Sequence, residues 1–307
     1  MHCQSQNDFL QMMRFLLLIF IANFLSIQLR LGSAGKSELF VNRYHIPSKT
    51  QGPLNINTSK VKNIALSPFR VTALLGESTK VMNTGNAIEV VNTEKNSGTT
   101  VTGGPLQNDI YEFHLTRFYW SSNTSGPVAT LVDGADGVPI EAVHYWFNRK
   151  YGSFENSKNY RDGMVAFSFP VKVGPVPSLT FLPFSRKLKQ VRESNSSVSA
   201  YLFEHFVWFD GYLLPNTPYF SYPSSYTDYK TSKKYYCTTA VIFRPKPNFI
   251  SITQFCEYFL TLKNSKGGRL TNAVRSHPQG DIPVIQAEGQ TQIFIPYGKR
   301  LLDLSQL

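Results

Sequence analysis

The stretch that decides how this chain is read runs from Phe206 to Thr239, FVWFDGYLLPNTPYFSYPSSYTDYKTSKKYYCTT. Its aromatics, prolines and single cysteine follow neither the 3.6-residue period of an amphipathic helix nor the alternation of a half-buried strand. Trp208, Pro215 and Pro218 stand in a W-x6-P-x2-P array. Tyr222-Pro223 and Ser225 follow, and a polar run closes on Tyr235-Tyr236-Cys237-Thr238-Thr239. Irregularity of this kind belongs to the scaffold of one family rather than to a generic core.

Working outward, the 307 residues are 42% hydrophobic and 17% charged, enough to bury a core and unlike a disordered chain. Aromatics make up 14%, with 23 Phe and 16 Tyr, which favours β-rich packing over a helical bundle. Strand candidates are Glu38–Tyr44, Ala87–Val91, Tyr111–Tyr119, Ala142–Phe147, Met164–Phe169, Leu179–Phe184, Ala200–Phe209 and Ala240–Phe243. Asn92–Gly104 is a long polar loop. Ser251–Leu262 is the clearest helix, with Ile252, Phe255, Cys256 and Phe259 on one face and Lys266-Gly267-Gly268 closing it.

The N-terminus has the form of a secretory leader, residues 1–34. Arg14 precedes an apolar run of 11 residues, Phe15–Leu25, and Gly32-Ser33-Ala34 offers a cleavage site. A membrane span needs about 20 apolar residues, so a signal anchor is the weaker reading, and no later stretch is long enough to span. A secreted protein is expected, with a lysosome-like compartment second. Three sequons agree with that route, at Asn57, Asn123 and Asn195. Beyond the leader the cysteines are Cys237 and Cys256, read as one disulfide in an oxidising compartment or, alternatively, as two buried thiols. No Cys/His spacing suits zinc, so neither a metal nor a cofactor is expected.

The formal charge is +11. Its clusters are Arg186, Lys187, Lys189 and Arg192; Lys230, Lys233 and Lys234; and Lys263, Lys266 and Arg269. Such a surface attracts polyanions, DNA among them, although each cluster taken alone is an ordinary solvated face.

The opening motif resembles the acid deoxyribonuclease II family, in the segment after that family's first catalytic His-x-Lys. Trp208, Pro215, Pro218, Tyr222-Pro223, Ser225 and Cys237 carry the resemblance, and Gln286–Leu304 with Lys299 and Asp303 extends it. It covers residues 131–307, best over 196–307, and leaves 35–130 as a β-rich region of uncertain placement. It implies a phospholipase D-like α/β fold, a mixed sheet with flanking helices and an incomplete second half. It also implies metal-free phosphodiester hydrolysis through two His-x-Lys motifs.

The residues two positions after His2, His45, His114, His144, His205 and His277 are Gln4, Pro47, Thr116, Trp146, Val207 and Gln279. No His-x-Lys exists, so no catalytic residue is assigned, and His205 is read as a packed core histidine. The expectation is a secreted pseudoenzyme of that family, retaining a DNA-binding or decoy role. A β-rich secreted binding glycoprotein is the alternative, and a nuclease completed by a partner chain a third reading.

Overall fold

The computed structural model describes residues 55–303 apart from 75, 123–130, 134–137, 180, 203–216, 244–247, 271–283, 289–290 and 298–299. By compactness the chain divides into Met1–Asn42 and Arg43–Leu307, and every described residue lies in the second unit. Trp208, Pro215, His205, Asn123 and Lys299, all singled out above, fall outside the described residues.

Strands dominate. In chain order they are β1 (Asn55–Ile56), β2 (Lys62–Asn63), β3 (Phe69–Thr72), β4 (Ser78–Asn83), β5 (Ile88–Asn92), β6 (Thr100–Thr102), β7 (Tyr111–Trp120), β8 (Leu131–Val132) and β9 (Ile140–Asn148). There follow β10 (Met164–Gly174), β11 (Ser197–Tyr201), β12 (Tyr219–Asp228), β13 (Lys233–Phe243), β14 (Asn248–Ser251), β15 (Ile285–Ala287), β16 (Thr291–Tyr297) and β17 (Arg300–Asp303). Fifteen join one sheet, whose main path runs β17-β16-β3-β6-β7-β9-β10-β13-β12-β15-β2. The centre is antiparallel from β7 through β9 to β10, and β10 then pairs in parallel with β13 and, further along its length, with β14.

This architecture corrects the phospholipase D-like expectation. Helices flanking a mixed sheet would need long amphipathic segments. The described α-helices are α1 (Phe154–Ser157), α2 (Leu182–Gln190) and α3 (Ile252–Gln254), none longer than nine residues. The strands are aromatic and β-branched, and they bury both faces at the sheet centre. Every residue of β9 is buried, as is nearly every residue of β7.

Among the described residues three apolar clusters form, and the two at the sheet centre lie on opposite faces because successive side chains of a strand point to opposite sides. On one face Phe113, Phe118, Trp120, Ala142, Trp146 and Phe167 join the larger core. On the other, Leu115, Tyr119, Val143, Tyr145, Met164 and Tyr226 form a smaller one. The second face carries the cleft described below.

Local expectations fare unevenly. Tyr111–Tyr119, Ala142–Phe147 and Met164–Phe169 are strands. Leu179–Phe184 is not: α2 starts at Leu182 with Pro183 in its first turn, and Phe181, Phe184 and Leu188 are buried at helical spacing. The helix expected over Ser251–Leu262 begins with a capping box in which Ser251 and Gln254 satisfy each other's backbone N–H. It then widens into a π-turn over Phe255–Phe259. The wider turn rotates the buried face, so Phe255, Tyr258, Phe259 and Leu262 are buried while Ile252 and Cys256 are exposed.

Cys256 is a free thiol, and the expected Cys237–Cys256 bridge is not formed. Strand register gives the reason. Thr238 lies opposite Met164 at one end of β10, and Ser251 lies opposite Gly174 at the other. Ten residues of strand separate these points by about 33 Å, whereas bridged Cα atoms lie within about 7 Å.

Candidate functional site

Strands β5, β7 and β12, with the short helix α1, surround a cleft of about 460 Å³ on the smaller-core face. Its floor is Arg117. Leu115, Arg117 and Tyr119 alternate onto this face of β7, and β9 sets Tyr145 opposite Leu115 and Val143 opposite Arg117. Glu89 of β5 lies directly across from Arg117 in the ladder.

Arg117 is only 2% exposed and is held on every side. Its Nε donates to Glu89 Oε1 at 2.7 Å, its Nη1 to the Thr227 carbonyl at 2.8 Å and its Nη2 to the Tyr226 hydroxyl at 3.1 Å. The guanidinium also sits over the rings of Tyr229, Tyr226 and Tyr145, at 4.3, 4.9 and 5.7 Å. Burial alone would weaken its hold on the proton. Tyr119, Glu89, Tyr226 and Tyr145 outweigh that and raise its pKa well above the ordinary value. The group is a permanent cation.

A second buried cation stands beside it. Lys158, 3% exposed, donates to Glu155 at 2.8 Å and to Asp228 at 2.9 Å, with the Phe154 ring 5.1 Å and the Tyr226 ring 5.5 Å away. Tyr226 therefore lies between two cations. Burial pushes its phenol up to about 12, Arg117 and Lys158 opposing the rise and Glu89 adding to it. Asp228 is held below its ordinary value: burial opposes this, and the hydrogen bond from Lys158 outweighs it.

The opening motif explains how β12 delivers these groups. Tyr219–Asp228 and Lys233–Phe243 are the arms of a hairpin, turned through Ser232 at a φ of 57° with Asp228 Oδ1 accepting from the Lys230 N–H. Between Ser224 and Tyr226 the register shifts by a β-bulge. One residue of β12, Ser225, stands against two of β13, residues 236 and 237, so the extra residue belongs to β13 and locally turns the hairpin where Tyr226 and Thr227 face Arg117. The Pro-Ser-Ser run of irregular look is thus ordinary strand lying against the bulge.

His114 is likewise a bulged residue. Register shifts between Phe113 and Leu115, leaving His114 to line the cleft, stacked on Phe154 at 3.8 Å between ring centroids. Burial, then Lys158 and Arg117, pull its pKa down to about 4, so the imidazole is neutral at pH 7. His144 lies on the opposite face, where it packs against Phe169 at 4.5 Å and Phe113 at 6.2 Å. Asn195 is exposed, with φ 62°, at the rim of the cleft, and Asn57 is exposed with its Oδ1 accepting from Ser59.

A large, predominantly antiparallel sheet, buried on both faces at its centre and carrying a cleft above the central strands, defines the class. The family model for eukaryotic-type carbonic anhydrase matches residues 42–284, and the chain belongs to that family. This overturns the deoxyribonuclease II resemblance and with it the nuclease family, DNA breakdown and pseudonuclease readings. Tyr222-Pro223, Ser225 and Cys237 lie instead on the two strands of the β12–β13 hairpin.

Carbonic anhydrase is itself the standard example of a catalytic zinc held by three neutral histidines, with a bound water as nucleophile. The described residues of this chain do not fit such an ion. Their two histidines, His114 and His144, lie on opposite faces of the sheet. Among the described residues no group of three His, Cys, Asp or Glu side chains could hold a metal. Where a cation would be bound on the floor, the protein sets its own guanidinium among phenols and aliphatic side chains, and a fixed positive charge there opposes a divalent ion. Zinc hydration chemistry therefore has no donor set among the described residues of this cleft.

Arg117 was not singled out from the sequence. Its signal was present, however: a lone Arg at an inward position of YEFHLTRFYW, flanked two residues away on each side by Leu115 and Tyr119. An arginine in that setting is buried only if it is paired.

Proposed function

We propose that this protein is a non-catalytic member of the carbonic anhydrase family, a binding protein that keeps the sheet and its cleft and has replaced the zinc centre by an arginine clamp. The observation that carries this is Arg117, fully enclosed on the cleft floor by Glu89, Tyr226, the Thr227 carbonyl and three tyrosine rings. The zinc-bound hydroxide of this family's chemistry stands on three neutral histidines and an open position for substrate. The clamp offers a permanent cation whose donors are committed to strands β5 and β12.

The route we propose is secretory, with removal of residues 1–34 and glycans on exposed sequons. The exposure of Asn57 and Asn195 supports it.

The test is direct. The purified chain, dialysed against zinc, is measured for metal content and for CO2 hydration by stopped flow. The expected result is substoichiometric zinc and a hydration rate equal to that of buffer. Stoichiometric zinc with chelator-sensitive hydration would overturn the proposal.

A further inference from the structure

Five exposed apolar side chains gather at one corner of the sheet, away from the cleft. The loop leaving β10 carries Val176 and Leu179, 71% and 76% exposed, and leads into Leu182 at the start of α2. Beside it, β14 and α3 present Phe249 and Ile252, each about half exposed. These are one surface. Strand β14 runs along β10, with Phe249 opposite Lys172. Gln254 then ties the loop to α3, accepting from the Ser178 N–H and donating to the Ser178 carbonyl, each at 2.9 Å. Apolar side chains this exposed and this contiguous mark a contact surface.

The exposed charges beside them are mostly basic. Lys172 stands opposite Phe249 in the ladder, and Arg186 follows Leu182 by one turn of α2, both exposed. Further along α2, Lys189 is paired with Glu257.

We infer that this corner is a docking surface for an anionic lipid membrane, with the loop Pro175–Leu179 entering the headgroup region and Lys172 and Arg186 beside it meeting lipid phosphates and carboxylates. Three features select lipid over a folded partner. The two most exposed apolar side chains, Val176 and Leu179, sit on a loop, and a fluid bilayer forms its own pocket around them without needing a complementary groove. Pro175, Pro177 and Pro183 are all exposed and carry no backbone N–H, so less polar backbone has to be dehydrated on entry. Apolar insertion beside a cluster of Lys and Arg is also how peripheral proteins read anionic leaflets. This is surface attachment: among the described residues no helix is long and apolar enough to cross a membrane.

The experiment is co-sedimentation of the purified full chain with phosphatidylcholine vesicles, with and without phosphatidylserine. Binding is expected only to the phosphatidylserine vesicles and is expected to fall in high salt. A Val176→Ser/Leu179→Ser double variant and a Lys172→Glu variant are each expected to weaken binding roughly tenfold. All three positions are exposed, so thermal midpoints should match the parent. Three outcomes overturn the inference: no binding to either vesicle, binding to both vesicles that is unchanged in the variants, or concentration-dependent self-association in sedimentation velocity that the double variant abolishes. The last would make the corner an interface between copies. Salt-sensitive binding to a DNA duplex that Lys172→Glu weakens and the double variant leaves intact would, in the absence of vesicle binding, assign it to polyanions and overturn it equally.

Discussion

A buried charge stays ionised only where its surroundings repay desolvation, and Arg117 is repaid by one carboxylate, one carbonyl, one hydroxyl and three ring faces. Arg117→Met should therefore destabilise the fold by about 3 kcal/mol, mostly because Glu89 is left with an uncompensated charge. An Arg117→Met/Glu89→Gln double variant should recover a substantial part of that, a coupling that urea denaturation of all four proteins measures as a double-mutant cycle. If the double variant is no more stable than the single one, the pair is not the clamp described. His114 makes a different prediction. Its folded pKa, about 4, lies below the unfolded value near 6.5, so the unfolded chain binds more protons between those values. Stability attached to the neutral imidazole is full above pH 6.5 and falls as pH drops toward 4, by something on the order of 2–3 kcal/mol. His114→Gln should flatten that slope in denaturation curves taken from pH 7 to 4.5, and an unchanged slope would show that His114 is not the group responsible. Neither residue was legible as a site from sequence. Arg117 belongs to no recognisable motif, and His114 is followed two positions on by Thr116 rather than Lys.

The central elements were legible because their physics is local. Strands β7, β9 and β10 are long, aromatic and β-branched, and no helical period competes with that signal. What escaped is what depends on a partner. The strand expected at Leu179–Phe184 is apolar enough for either state, and Pro183 together with packing on Phe259 decides for helix. The Phe206–Thr239 segment was legible as irregular, yet the irregularity is a bulge in a hairpin, visible only once β13 supplies the register. Turns show the same dependence in backbone form. Gly103 has φ 84°, and a Cβ there would stand 2.0 Å from the Pro68 carbonyl oxygen. Gly103→Ala combines a disfavoured φ with a collision against backbone, which cannot rotate away as a side chain can. It should cost about 3 kcal/mol or more and lower the thermal midpoint accordingly. Ser251→Ala, by contrast, removes one half of a capping box and should cost about 1 kcal/mol. Calorimetry on the two variants should rank them in that order, and equal shifts would mean that the turn at Gly103 is able to relax.

At the scale of the whole molecule, the family's sheet is present while the described residues hold no group of three side chains that could bind zinc. The sheet persists because its cores are closed by aromatic packing on both faces, which needs no metal. The cleft persists because two buried cations, Arg117 and Lys158, pin β12 to β5, β7 and α1 by carboxylates, a carbonyl and tyrosine rings. A structural or catalytic zinc would contribute to stability by mass action, about 4 kcal/mol when free metal exceeds its dissociation constant a thousandfold. Such a gain raises the thermal midpoint by several degrees, and a strong chelator removes it. With the clamp in place of the ion, the melting curve should be the same in excess zinc, in chelator and in plain buffer. The Arg117→Met variant should melt lower than the parent under all three conditions, by an equal amount in each. A zinc-dependent rise in the parent would mean that donors outside the described residues assemble a metal site after all. A rise confined to Arg117→Met would show instead that the guanidinium's charge is what keeps the ion out.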